Sequence, residues 1–405
     1  MLSYVRVLAV PGAAAFCGAG ALARLPQGMI GLGSVLMLSG LGRSYTLAGL
    51  VAGAIAMSQS VVAPQISRLA DHRGQARVLV PQLAVHVAAL GALVAATEAS
   101  GPGPLLVALA VAAGGSLPQI GAFARARWTA LLPDAPSLRT ALAVESLIDE
   151  AVFIVGPVVV TLLATTVAPA AGLLAAIGLA VVGCLLFVAQ RRTEPRPHLA
   201  PGPGDEARAG GVAAVRHRGL TVIVAVFLGI GAVFGLIEVS VVALARDHGQ
   251  AGAAGPMLGL WASGSLLAGI AYGAIAWTAP APRRFLVTVA AFALGTVLIA
   301  AGTSSLAVMT AALFVAGLAN APTLITGNTL VPAVVPRNAL TEAYTWLSVT
   351  LFAGIAVGSA LAGALVDRSG PVGGLLAATA AAGCAVLATV IGYPSLAPPR
   401  TRSRV

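Results

Sequence analysis

Long apolar segments alternate with short polar gaps along nearly the whole chain. A helix needs about 20 predominantly apolar residues to cross a bilayer, and the sequence contains twelve segments of that kind. They cover roughly residues 9–38, 45–67, 77–97, 102–127, 139–166, 169–190, 218–245, 252–277, 284–303, 304–331, 337–366 and 370–394. The pattern therefore predicts an all-α membrane protein with twelve transmembrane helices.

The only long polar stretch separates the sixth segment from the seventh. It covers residues 191–217 and is rich in arginine, proline and glycine, a composition typical of a flexible linker. We expect it to divide the chain into six-helix halves at 1–190 and 218–394, followed by a tail at 395–405. The sequence Arg-x-Ala-Leu opens both the fifth and the eleventh segment. Two halves repeated in the same direction are the architecture of one large transporter class.

Composition excludes a water-soluble protein and charge predicts its orientation. Hydrophobic residues make up 58% of the chain and charged residues 9%, whereas soluble domains carry about 25% charged residues. All 23 basic residues are arginine, and all but Arg24, Arg43, Arg246 and Arg368 lie in every second gap. By the positive-inside rule these gaps, which include Arg125 and Arg127, are cytoplasmic, as are both termini. Arginines spread over alternate loops argue against a nucleic-acid partner.

The gap between the second and third segments carries a recognisable motif. The stretch from Ser67 to Arg77 resembles the loop signature of the major facilitator superfamily, Gly-x-Leu-Ala-Asp-Arg-x-Gly-Arg-Arg. The matching residues and displaced arginines are Leu69, Ala70, Asp71, Gly74, Arg73 and Arg77. The resemblance implies the major facilitator fold and a gating loop that latches the two halves on the cytoplasmic side. The equivalent loop of the second half, near Gly273, has no acidic residue.

A glycine-proline pair lies within the fifth segment. Gly156 and Pro157 resemble a motif found in many proton-coupled antiporters of the same superfamily. Proline removes one backbone hydrogen bond and favours a kink, and glycine allows a neighbouring helix to approach closely. The pair therefore favours export by antiport, with a simple packing kink as the alternative.

Ionisable side chains inside the bilayer are costly and are functional candidates by default. Arg24 lies near the middle of the first segment, and Glu145, Asp149 and Glu150 lie in the first half of the fifth. We expect Arg24 to pair with one of these acids, either as a structural salt bridge or as part of proton coupling. Glu238, in the seventh segment, has no charged neighbour in sequence and is the best single candidate for a proton-exchanging carboxylate.

Polar residues within the segments predict a substrate cavity. The candidate substrate-binding residues are Gln27, Gln119, Asn320, Glu342 and Trp346. Pro118 and Pro322 predict bends in the fourth and tenth helices. Glu342 has a second interpretation as a solvated carboxylate at a helix start.

These features together predict a secondary active transporter that exports a small, partly apolar molecule by proton antiport. We expect a monomer in the inner (plasma) membrane with both termini cytoplasmic, needing no cofactor and no metal. Three alternatives remain: a symporter or facilitator for uptake, a non-transporting sensor or assembly factor on a transporter scaffold, and an intramembrane enzyme. The enzyme is the weakest, since no metal-binding cluster or Ser/His pair shares a segment.

Overall fold

The computed structural model describes residues 6–132, 135–195, 217–336 and 339–396, apart from the side chains of residues 135 and 341. Within these ranges the chain forms twelve helices long and apolar enough to cross a membrane. Their bounds are α1 (α1a Ala13–Arg24 and α1b Ile30–Gly40), α2 Tyr45–Arg73, α3 Gln75–Glu98, α4 (α4a Gly103–Gly115 and α4b Ile120–Leu131), α5 Ala135–Thr166, α6 Ala171–Ala189, α7 Arg218–Asp247, α8 Ala254–Ala274, α9 Ala281–Ala301, α10 (α10a Leu306–Gly317 and α10b Asn320–Val334), α11 Leu340–Ser369 and α12 Pro371–Leu396. Most of the predicted linker, most of the tail and Arg337 lie outside the described residues.

Helix length and composition fit the thickness of a bilayer. The shortest span, α6, has 19 residues, which at about 1.5 Å per residue approaches the roughly 30 Å of a hydrocarbon core. Large apolar side chains such as Leu162 and Ile391 are exposed on the outside of the bundle, where lipid is the natural solvent. The helices satisfy their own backbone hydrogen bonds, as a membrane interior requires. The chain is therefore a multi-pass membrane protein, as the apolar pattern predicts.

Three helices are interrupted near their middle. A 3-10 turn at Leu25–Gly28 separates α1a from α1b, residues 116–119 separate α4a from α4b, and residues 318–319 separate α10a from α10b. The breaks predicted at Pro118 and near Pro322 are confirmed, and the break at Pro26 is an additional one. α5 passes through Pro157 without interruption, so proline alone does not decide where a helix breaks.

Several predicted loop residues belong to helices. Arg125 and Arg127 lie within α4b, not in the gap that follows it. Leu69, Asp71 and Arg73 belong to the last turns of α2, and Gly74 alone separates α2 from α3. Gly74 has φ of 92°, a conformation that glycine adopts at little cost. The stretch resembling a loop signature is thus a helix end and a one-residue corner.

The two halves meet mainly through α2 against α11 and α5 against α8. We call the end of the bundle at which α1 begins the basal end, and the opposite end the distal end. At the distal end, the Asp367 carboxylate accepts hydrogen bonds from the backbone N–H of Tyr45 at 2.9 Å and of Thr46 at 2.7 Å. Arg246 at the end of α7 also donates to the carbonyl of Ser39 in α1b. These contacts close the bundle at its distal end.

Candidate functional site

A cluster of four charged side chains lies where α1, α4 and α5 meet. Arg24, the last residue of α1a, donates from Nη1 to Asp149 Oδ1 at 3.0 Å and from Nη2 to Glu145 Oε2. Arg125, from α4b, donates to the other oxygen of Asp149. The expected pairing of Arg24 with acids of the fifth helix is therefore present, and it involves two of the three acids. We call Arg24, Arg125, Glu145 and Asp149 the charged quartet.

Neutral donors complete the environment of Glu145. The indole Nε1 of Trp128 donates to Glu145 Oε1 at 2.8 Å, and the thiol of Cys17 lies 3.4 Å from the same oxygen. Both oxygens of this fully buried carboxylate thus have hydrogen-bond partners. Hydrogen-bond partners for both oxygens lower the free-energy cost of burying this charge in apolar surroundings.

One side of the quartet is buried and the other side is exposed. The side chains of Arg24 and Glu145 are 2% and 0% exposed, whereas those of Arg125 and Asp149 are 40% and 33% exposed. Two guanidinium groups face two carboxylates, so their formal charges cancel. Glu150 lies beside the quartet in sequence and is half-buried, and none of the hydrogen bonds or ion pairs described here includes it.

Glu238 occupies a different environment on α7. Its Oε1 atom lies 3.4 Å from the position that a side chain would take at Gly31 of α1b. Because α1 and α7 belong to different halves, this carboxyl group lies at the interface between them. It is partly exposed and has no hydrogen-bond or ion-pair partner within the residues that the structure describes. A role of Glu238 in proton exchange stays a prediction.

Three of the five predicted substrate-binding residues coincide with the helix breaks. Gln27 lies in the 3-10 turn of α1, Gln119 immediately precedes α4b, and Asn320 begins α10b. The side chain of Gln119 donates to the carbonyl of Leu117 at 3.0 Å. This hydrogen bond provides a partner for a backbone carbonyl that the break frees from the helix. Asn320 is 6% exposed, and its side-chain oxygen has no described partner.

The other two predicted substrate-binding residues lie on α11. Glu342 is in the first turn, where an acid interacts favourably with the helix dipole. One of its oxygens is buried without a described partner. Trp346 is 37% exposed. Neither residue is in described contact with the charged quartet, so the predicted set does not form one continuous cluster.

The glycine-proline pair lies against the break in α1. A side chain at Gly156 would approach the backbone carbon and oxygen of Gly28 to 2.9 Å. Two glycines therefore allow α1 and α5 to touch through their backbones, and this contact is adjacent to the quartet in both helices. Pro157 follows it without ending the helix.

The corner between α2 and α3 makes contacts other than the predicted latch. Asp71, Arg73 and Arg77 are exposed, and none of the ion pairs found in the described ranges includes them. Instead Glu194, which follows α6, accepts a hydrogen bond from the backbone N–H of Ala76 at 2.9 Å. A latching role for the corner remains a prediction.

Arg127 has a structural role that the sequence pattern did not indicate. It is fully buried and donates to Gln75 Oε1 and Thr193 Oγ1, each at 2.9 Å, and to the carbonyl of Gln190 at 3.0 Å. Its guanidinium carbon lies 3.8 Å from the centre of the Phe187 ring, within the range of a cation–π contact. Arg127 thereby joins α3, α4 and the end of α6 at the basal end.

Comparison with known proteins supports the architecture. No protein-family model matches the sequence, and no curated protein matches it by sequence. The chain is similar to the solved structure of a mutant of nucleoside transporter NupG, with a TM-score of 0.77 and 13% identity over 93% of this chain and 98% of that one. A mutant of peptide transporter POT gives a TM-score of 0.72 and 14% identity over 95% of this chain and 94% of that one. The human organic anion transporter TETRAN gives a TM-score of 0.60 and 16% identity over 95% of this chain and 99% of that one.

These similarities extend over nearly the whole chain, and at such identities they show the fold. The protein has the predicted major facilitator fold, with twelve transmembrane helices in two six-helix halves.

Proposed function

We propose that this protein is a secondary active transporter that exports a small, partly apolar molecule in exchange for protons. The fold it shares with nucleoside, peptide and organic anion transporters supports transport in general. Such folds move a solute by rocking two halves about a site near the middle of the membrane. The glycine-proline pair, which resembles an antiporter motif, favours export.

Glu238 is the single observation that carries proton coupling. A lone carboxylate at the interface of two halves changes its surroundings when the halves rock, because Gly31 on the opposite half moves away from it. Carrying an unpaired charge into apolar surroundings costs several kcal/mol. A proton bound at Glu238 removes that cost and no counter-ion within the described residues can do so. Proton binding is thereby linked to the conformational change.

In the proposed cycle, the present structure, in which contacts between the halves close the distal end, is the state that takes up substrate from the basal end. The contacts of Asp367 with Tyr45 and Thr46 hold that state. Substrate enters from the basal side, which the arginine distribution predicts to be cytoplasmic. It takes the place of the proton beside Glu238 and covers the carboxylate while the halves rock. When the distal contacts break, substrate leaves and Glu238 binds a proton from outside.

The charged quartet has a supporting role in this proposal. Its two cations and two anions balance without a proton, so it can keep the first half rigid through the cycle. The exposed pair, Arg125 and Asp149, remains available to contact substrate polar groups from the basal side. We expect a monomer in the plasma membrane, with protons and a small-molecule substrate as partners.

The test is transport by purified protein in liposomes with an imposed pH gradient. A panel of nucleosides, dipeptides and lipophilic dyes serves as the probe, because the structurally similar transporters and the mostly apolar segments suggest these classes. We expect Glu238→Gln to abolish gradient-driven movement while it leaves reconstitution unchanged. Glu98→Gln, at the exposed distal end of α3, is the matched control. Wild-type rates in Glu238→Gln would remove this residue from the mechanism.

Uptake by symport is the second candidate, because an unpaired carboxyl at the interface can couple a proton to movement in either direction. Reversing the imposed gradient separates the two. Accumulation of the probe inside the liposomes when protons flow inward favours symport. Loss of the probe from the liposomes under the same gradient favours antiport. Failure to move any probe, with or without a gradient, favours a non-transporting sensor or assembly factor.

A further inference from the structure

The turn between α8 and α9 combines two adjacent arginines with exposed apolar side chains. α8 ends at Ala274 and α9 begins at Ala281, and Arg283 and Arg284 lie in the first turn of α9. Ile275 and Trp277, in the turn itself, are 51% and 42% exposed. The turn joins the ends of two membrane spans, so these residues lie at the level of a membrane surface.

Arg284 is held in place by neutral aromatic groups. Its Nη1 atom lies 3.2 Å from the hydroxyl of Tyr272, and its guanidinium carbon lies 5.8 Å from the centre of the Trp277 ring. The Tyr272 and Trp277 rings pack at an angle of 32° with centroids 4.5 Å apart, and Trp277 Nε1 donates to the carbonyl of Tyr272 at 2.9 Å. The aromatic pair therefore fixes one side of the guanidinium and leaves its charge unpaired.

No protein carboxylate within the described ranges compensates this pair of arginines. None of the ion pairs there includes Arg283 or Arg284, and the first turn of α9 contains no acidic residue. The Nε atom of Arg284 is buried and has no hydrogen-bond partner among the described residues. Positive charge at a helix start is also unfavourable, because the helix dipole is positive there. An anion supplied from outside the chain would supply the missing counter-charge and offset the unfavourable helix dipole.

We propose that the Tyr272–Arg284 turn binds the phosphate headgroup of an anionic phospholipid. Guanidinium groups bind phosphate oxygens through paired hydrogen bonds, and exposed tryptophan is typical of the membrane interface. A free phosphate ion could occupy the same two arginines. It would leave Ile275 and Trp277 uncovered, whereas the acyl chains and glycerol backbone of a lipid would cover them.

The experiment uses the full-length protein in phosphatidylcholine nanodiscs that contain increasing amounts of phosphatidylglycerol. Lipid retained after transfer to detergent is counted by native mass spectrometry. The double variant Arg283→Gln/Arg284→Gln is compared with Arg191→Gln/Arg192→Gln. The control removes the same charge from an adjacent, exposed pair after α6, where Arg191 already has Glu194 as an ionic partner at 3.8 Å.

We expect the wild-type protein and the control to retain phosphatidylglycerol, and the α9 variant to retain it about tenfold less well, because only this variant loses the guanidinium groups that hydrogen-bond to the phosphate. Trp277→Ala should also weaken retention while it keeps both charges. Equal losses in the two arginine variants would overturn the proposal, because they would indicate general charge attraction. Displacement of the lipid by millimolar inorganic phosphate would overturn it in favour of a small-anion site. Size-exclusion elution and helical content confirm that each variant is folded.

Discussion

The charged quartet of the first half and Glu238 of the second half are opposite solutions to placing charge inside a membrane. In the quartet each carboxylate faces an arginine, and Glu145 also accepts from Trp128 at 2.8 Å. Glu238 has no such partner among the described residues and lies beside Gly31 of the other half. A balanced cluster gains nothing from binding a proton, whereas a lone carboxyl does. The difference suggests that one region maintains structure and the other senses movement.

The location of each region agrees with this division. Every member of the quartet belongs to the first half, so rocking of the halves leaves its ion pairs intact. Glu238 lies at the interface, and in the proposed cycle its surroundings therefore change. From the sequence, Glu238 is the best single candidate for proton coupling, whereas the pairing of Arg24 with the acids of the fifth helix can be either structural or part of coupling.

The largest expected effect comes from unbalancing the quartet. Glu145→Ala leaves the buried charge of Arg24 with one partner fewer, and removal of one member of a buried pair typically costs about 3–5 kcal/mol. We expect a lower free energy of unfolding, measured by denaturation in mixed micelles. The double variant Arg24→Met/Glu145→Met should recover much of the loss. A single variant as stable as the wild type would contradict the structural role of the quartet.

Glu238→Gln should show the reverse behaviour and so sharpen the comparison. The amide keeps the size of the side chain and breaks no described hydrogen bond, so we expect stability within about 0.5 kcal/mol of the wild type. Gradient-driven transport should nevertheless be lost. Glu238→Gln is therefore measured both for its free energy of unfolding and for transport in liposomes. A large loss of stability would indicate that Glu238 has a structural partner, as the quartet does.

Asp367 allows a test of whether the distal contacts control the exposure of Glu238. Asp367→Asn weakens charge-assisted hydrogen bonds to Tyr45 and Thr46, which are worth about 1.5–3 kcal/mol each at most. We expect distances between spin labels on the distal ends of α2 and α11 to shift toward longer values. Glu98→Gln is the control, since it removes an exposed distal carboxylate elsewhere. An unchanged distance distribution would show that other contacts hold the distal end closed.

A smaller loss of stability than that of Glu145→Ala is expected at the backbone contact on the distal side of the quartet. Gly156→Ala places a methyl group 2.9 Å from the backbone of Gly28, and overpacking of this kind costs about 1–3 kcal/mol. Gly178→Ala in α6 is the control, since nothing lies within 4 Å of its added atom. The two variants are compared by thermal unfolding in detergent. Equal midpoints would mean that α1 and α5 can separate without cost.

Sequence reasoning was most successful where a single residue is chemically unusual. Arg24 is an arginine in an apolar segment, and that is sufficient to predict an acidic partner on the fifth helix. Arg125 was missed because its place near a segment end suggested a cytoplasmic loop, although the helix continues through it to Leu131. Arg127 was missed for the same reason. An arginine close to a segment end can lie in water or fold back into the bundle, and sequence does not distinguish the two.

The sequence by itself determined the twelve helices, because the membrane imposes a minimum apolar length and internal backbone hydrogen bonding on every span. It also predicted bends near Pro118 and Pro322. The division at residues 191–217 stays a prediction. Only the tertiary structure decided which charges are paired. Pairing depends on the rotation and depth of helices far apart in the chain, and these are set by close backbone contacts such as Gly28 against Gly156. Those contacts left Arg24 with two carboxylates and Glu238 with none within the described residues.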